Sequence, residues 1–325
     1  MNVYLNISFV YFLAAVCTAV LLGTPLEIAF LEIVSAVLRQ VNVVSNWIFP
    51  FIALVAFVVW RSSWGGIHAR RAQILQAFLG FVLMLAGFIT FKTHLPLIAL
   101  SFADPPFFAD PMLAEFDKWL HGGVDPYIIA HKYFAHLGTG WVDWIYGGGW
   151  GFIVTTMMLF VAISDDDQDR IRDVVYLYLF THMVLGNLLA FAFMSAGPVY
   201  YDQIFETDRF SGLASALQSI DMINSFIGRI QAVLLSIYQQ GAFAFGSGIS
   251  AFPSVHVAVS MVAALYFCSR SRWFLPFSIF FVAAIQLQSV YTGYHYAIDG
   301  YFSIIVVTLL WWWLRRRRRP VTVAV

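Results

Sequence analysis

Charge is scarce in this 325-residue chain: Asp, Glu, Lys and Arg together make up 11% of it, against about a quarter in soluble domains. Too few polar groups remain to cover a water-facing surface, which argues against a soluble globule. An excess of basic charge is lacking too, because eighteen Lys and Arg residues balance eighteen Asp and Glu. Without a net basic face, no nucleic-acid partner is expected. Cysteine is nearly absent. Cys17 and Cys268 both sit in apolar runs, match no zinc or redox spacing, and predict no disulfide. The N-terminal stretch has neither a basic leader nor a small-residue cleavage site, so it reads as a retained span and not a signal peptide. Internal repeats, low-complexity segments and a separate soluble domain are likewise missing.

What remains is apolar: 61% hydrophobic and 18% aromatic residues. A spanning helix needs about 20 such residues. Eight runs qualify, at 7–24, 43–60, 73–91, 144–163, 174–194, 252–268, 274–291 and 298–314. They are continuously apolar, whereas barrel strands would alternate. The fold class is therefore all-α, a polytopic membrane helix bundle of about eight spanning helices. The bilayer itself is the first partner implied. The expected domains are N-terminal membrane helices over 1–72, a catalytic membrane domain over 73–315 and a cytoplasmic tail over 316–325.

Orientation follows from Lys and Arg in the short loops. With the arginine run at 315–319 cytoplasmic, alternation also places Arg61, Arg70, Arg71, Arg170, Arg172, Arg270 and Arg272 inside. Both termini are then cytoplasmic, in a plasma or inner membrane. The acidic stretch SDDDQDR at 164–170 reads as a solvated inner turn. Two long outer segments, about 95–140 and 195–250, look ordered. Within the second, residues 213–235 carry apolar side chains at helical spacing. They predict a helix lying either in the interface or on the bundle.

Ionisable residues at the ends of apolar spans are costly and mark function. Two clusters stand out, GSGISAFPSVHVA at 246–258 and VYTGYHYAIDGY at 290–301. In the first, Pro253 suits a first helical turn. Free N–H groups near Ser254 and Val255, with the Ser254 hydroxyl, would form an anion site there, within reach of His256. In the second, His295 and Asp299 are four apart and share a face if the helix begins by His295. A carboxylate on one imidazole nitrogen leaves the other as acceptor or nucleophile. The two histidines are 39 residues apart, close to two bilayer crossings at about 1.5 Å per residue. Both should therefore reach the same outer face. Two histidines, a carboxylate and a helix N-terminus could attack a phosphoryl group and protonate its leaving oxygen, with no metal or cofactor demanded. His68, His94, His121, His131, His136 and His182 have no comparable company.

These motifs resemble the type 2 phosphatidic acid phosphatase superfamily, membrane enzymes with a core of six spanning helices. PSVH at 253–256 looks like that family's second motif, and YHYAID at 294–299 like its third. The resemblance implies that His295 is the nucleophile, that Asp299 orients it, and that His256 is the general acid. It further implies a lipid substrate and a phosphohistidine intermediate. The family's third motif carries a phosphate-binding arginine six residues before its histidine, where this chain has Ser289. SAGPVYYD at 195–202 corresponds to the first motif. With FDKWLHGGVDPY at 116–127, these segments are most similar to the branch containing inositol phosphorylceramide synthases. Lys92, Arg209 and Arg229 are the outer-side cations that could meet the phosphate, with the Tyr200 and Tyr201 hydroxyls as alternative donors. Hydrolysis and transfer both fit this pattern. The competing readings are an inert lipid-binding member and a membrane transporter, which would show broken helices and midplane charges.

Overall fold

The computed structural model describes residues 1–24, 69–241, 244 and 246–317. Among these residues the chain is helical, with no strand. Among the described residues, six helices are long and apolar enough to cross a membrane: α1 (Asn2–Leu21), α2 (Arg71–Ala99), α5 (Gly140–Ser164), α6 (Gln168–Ala192), α11 (Arg272–Tyr291) and α12 (Ala297–Arg316). A seventh apolar helix, α10 (Val255–Arg270), is shorter at 16 residues. Five helices lie between the spans: α3 (Asp110–Leu120), α4 (Pro126–Phe134), α7 (Pro198–Phe205), α8 (Ser211–Ser219) and α9 (Phe226–Gln239). Seven of the eight runs read from sequence thus have a helical counterpart, with ends displaced by a few residues. The run at 43–60, His68, Arg61 and the end of the arginine run lie outside the described residues.

Close packing in the bundle rests on small residues, as it must where lipid supplies no hydrophobic drive between helices. The rings of Tyr4 and Tyr11 lie on Gly80 and Gly87, where a Cβ would come within 2.6 and 2.8 Å of them. Helices α1 and α2 therefore run side by side and parallel. Helix α10 is the central element, packed by α5, α6, α11 and α12. Its Val257, Ala258, Val259, Val262 and Ala263 are all buried. On the outside, Val10, Ile279, Phe280, Ile305 and Leu309 are exposed. Large apolar side chains in that position are stable against acyl chains and not against water.

Basic residues gather at one end. Arg70 donates to the Ile163 carbonyl at 2.8 Å and pairs with Asp166. Arg270 reaches Ser164 Oγ at 2.7 Å, and Arg316 and Arg317 lie over the Trp312 and Trp313 rings. The acidic stretch at 164–170 is more than a solvated turn. Asp165 is 2% exposed and receives Arg170 Nε and Nη2 at 2.7 and 2.6 Å, so the turn is clamped by a buried bidentate pair.

At the opposite end, the segment 213–235 is bent into α8 and α9 by a turn at Met222–Asn224. Leu213, Leu217, Met222 and Ile227 face inward into one cluster with Phe252 and Tyr296. This face packs on the bundle, while Ile223 and Val233 of the same segment stay exposed.

Candidate active site

Helix α10 starts later than its sequence suggests. Ser254 is the N-cap, so Pro253 precedes the helix and does not occupy its first turn. Ser254 is fully buried; its Oγ accepts the Val257 N–H at 3.4 Å and its own N–H donates to the Asp299 carbonyl at 3.3 Å. Its hydroxyl oxygen therefore serves the helix cap. Among the described residues, the N–H groups of Val255 and His256 are the first-turn donors that this cap does not use.

His256, in that first turn, is gripped by two aromatic rings. Tyr146 stacks on it at 4.4 Å between centroids and 15° between planes, and Trp150 lies at 4.1 Å. Trp150 Nε1 also donates to the His256 carbonyl at 3.0 Å. Both aromatics come from α5 around its π-helical stretch Asp143–Gly149, where three consecutive glycines weaken the α-helical spacing. Such stretches are frequent at functional sites. A second one, Thr181–Leu189, interrupts α6 and carries His182.

His295 lies two residues ahead of α12, in the turn made by Gly293, and not on the helix itself. The expected pairing with Asp299 forms all the same, with Nδ1 to Oδ2 at 3.3 Å. The same oxygen accepts the Tyr296 N–H at 3.0 Å. Asp299 is fully buried, and its Oδ1 has no hydrogen-bond partner among the described residues. The His256 and His295 rings stand 5.8 Å apart at 67°. Burial and, secondarily, the Lys92 charge hold the His295 imidazole well below its usual value. The ring is thus neutral at physiological pH, and a hydrogen held on Nδ1 by the carboxylate would leave the lone pair on Nε2.

Lys92, on α2, is the candidate cation brought to this pair. Its Nζ donates to the Ser250 carbonyl at 3.4 Å, and its charge acts on both imidazoles and on His182. Tyr200, 2% exposed, donates its hydroxyl to the Gln231 carbonyl at 3.4 Å, and its ring lies 6.3 Å from that of Tyr294, which neighbours Tyr146. Three other candidates are used elsewhere. Arg209 forms a bidentate pair with Asp125 at 2.9 and 2.8 Å and a further bond to Glu115. Tyr201 packs on Phe205 and Phe210. Arg229 Nη1 donates to the Asn224 carbonyl. Ser289, at the position of the family's arginine, donates to Ile285 of its own helix, and the Tyr146 hydroxyl lies beside it.

Backbone bonds hold the two motif loops together. Ser195 accepts the Ala251 N–H through its carbonyl and the Phe252 N–H through its Oγ. The Val199 N–H donates to Gly293. Gly197 sits at φ +90 with its Cα against the Tyr294 carbonyl, where a Cβ would be 2.4 Å from the oxygen. Two buried carboxylates of α3 complete the frame. Asp110 accepts from the Ala196 and Gly197 N–H groups and from the Tyr296 hydroxyl. Asp117 accepts from the Ala297 and Ile298 N–H groups.

Sequence reasoning did not single out Tyr146, Trp150, Asp110 or Asp117. Two signals were available: the glycine triplet after Tyr146, and two aspartates seven apart on a short amphipathic segment of a charge-poor chain.

A family model described as the PAP2 superfamily matches residues 111–313, more than half of the chain. No curated protein and no solved structure matches.

Proposed function

We propose, from the premise that the chain belongs to the PAP2 superfamily, that it cleaves a phosphate ester of a membrane lipid through a phosphohistidine on His295. The observation that carries this reading is the convergence of His256 and His295, with Asp299 bonded to the second and the Lys92 charge acting on both. Asp299 holds the tautomer with hydrogen on Nδ1. The Nε2 lone pair of His295 attacks phosphorus. The bond to the lipid oxygen breaks, and that oxygen takes a proton from His256. In the second step a water or alcohol oxygen attacks the same phosphorus and gives its proton to His256. The N–P bond breaks and its electron pair returns to His295. One histidine thus alternates between acid and base. Lys92 and the Tyr146 hydroxyl serve the phosphate oxygens in place of the arginine that Ser289 replaces. A phosphate dianion between them supplies the negative charge that lets Lys92 and a protonated His256 coexist.

The catalytic unit in this reading is 73–315, with the site on the non-cytoplasmic face. Water as acceptor gives a phosphatase; a second lipid or polyol hydroxyl gives a phosphotransferase, as in the inositol phosphorylceramide synthase branch. The test is incubation of the detergent-purified chain, in EDTA, with a panel of phospholipids and lipid phosphates, with and without acceptor alcohols. Free phosphate and new lipid species are followed together. Turnover that is lost in His295→Ala supports the reading. Turnover unchanged in that variant refutes it, and no turnover with any substrate returns weight to an inert lipid-binding member.

A further inference from the structure

The two buried aspartates of α3 take no part in the phosphoryl transfer proposed above. Asp110 is fully buried and Asp117 is 3% exposed, in a chain that can bury few charges without partners. Neither is an unused ligand. Asp110 Oδ2 takes the Ala196 N–H at 2.5 Å, while Oδ1 takes the Gly197 N–H at 3.1 Å and the Tyr296 hydroxyl at 2.7 Å. Asp117 Oδ2 and Oδ1 take the Ala297 and Ile298 N–H groups at 3.0 and 3.1 Å. The donors come from two segments far apart in sequence, the loop ahead of α7 and the start of α12. Both segments border the histidine pair.

From this geometry we infer that Asp110 and Asp117 are positioning residues, a carboxylate clamp that sets His295 and Asp299 against His256. The inference rests on the phosphohistidine reading. Seven residues apart, the two carboxylates stand on one face of α3, two helical turns from each other. Asp117 neutralises the first free N–H groups of α12, which fixes the height and rotation of the helix that carries Asp299. Asp110 grips Tyr296, the residue next to His295, from the other side. Through Ala196 and Gly197 it also holds Ser195, which in turn fixes the Ala251 and Phe252 backbone ahead of the His256 helix. One short helix thereby connects the nucleophile's loop to the general acid's loop. A reaction in which one imidazole attacks phosphorus while the other, with its ring 5.8 Å away, protonates the leaving oxygen depends on that spacing more than on binding strength.

The test uses the purified full chain and the lipid phosphate that it turns over fastest. Asp110→Asn and Asp117→Asn replace one acceptor oxygen by a donor that faces an N–H group. Each should lower kcat by roughly 10- to 100-fold, the scale of a misplaced reacting group, with KM little changed. Tyr296→Phe removes only the hydroxyl and should give a smaller loss, again in kcat. Ser225→Ala is the control. It deletes a buried cap of α9, where Ser225 Oγ accepts the Gly228 N–H, so it should lower the melting temperature and leave kcat intact. A kcat in the aspartate variants equal to wild type, or a loss that Ser225→Ala reproduces, overturns the clamp. Should the aspartate variants not fold, an unchanged kcat in Tyr296→Phe overturns it. Activity that survives His295→Ala refutes instead the reading on which the clamp rests, so the two failures are distinct.

Discussion

At the scale of single residues, the proposed chemistry depends on which hydrogen each imidazole holds. His295 is neutral because burial opposes its protonation, so its nucleophilic form should persist through the mildly acidic range. As the proposed general acid, His256 should matter in proportion to how poor the leaving group is. His256→Ala should lose about 10²- to 10⁴-fold with a lipid phosphate. The deficit should shrink with an aryl phosphate whose leaving oxygen needs no proton, as a side-by-side kcat measurement would read. Lys92→Gln should cost roughly 100-fold in kcat/KM, the scale of one lost transition-state donor. Tyr146→Phe, which keeps the stack on His256, should cost less. Asp110 supplies a pH signature of stability. Burial raises its carboxyl to about 6, with the Ala196, Tyr296 and Gly197 donors partly opposing the rise. Tyr201, Tyr296 and Asp299 are the other titratable groups that feel its charge. A raised folded value means that the proton-bound form favours folding. This contribution is full below the unfolded value near 3.8 and disappears as pH rises through about 6. The melting temperature of wild type relative to Asp110→Asn should therefore fall between those two pH values. A flat difference would show that Asp110 does not titrate there.

At the scale of elements, the spans were legible because their signal is composition summed over about 20 residues. The pairing of the two motifs was legible because two helical crossings return a chain to the face it left. Local starts were not. Pro253 precedes its helix because Ser254 is the better cap, and His295 falls outside its helix because Gly293 turns the chain there. The tertiary bonds that fix these ends come from Asp110, Asp117 and Ser195, more than 50 residues away in sequence, beyond any local pattern. Arg209 and Tyr201 were readable as donors by type alone, but only the fold reveals that Asp125 and an aromatic cluster claim them. Gly197 gives the element-scale prediction. Its positive φ and its contact with Tyr294 leave no space for a methyl group. Gly197→Ala should displace the His295 loop and reduce kcat, with the spans intact by circular dichroism.

At the scale of the whole molecule, the basic end and the histidine end lie at opposite ends of α10 and α12. The separation is about 20 Å along α10 at 1.5 Å per residue. The proposed orientation, with the site away from the cytoplasm by the positive-inside rule, predicts that a C-terminal tag is protected from protease in right-side-out vesicles. Substrate that cannot cross the membrane should still be consumed from outside. The central claim is the covalent intermediate, and the most direct measurement is a rapid quench of the enzyme with a ³²P-labelled lipid phosphate. A phosphohistidine should leave label on the protein that is stable to base and labile to acid, absent in His295→Ala. A labelled His295→Ala protein, or turnover by wild type with no labelled protein at any quench time, would contradict it.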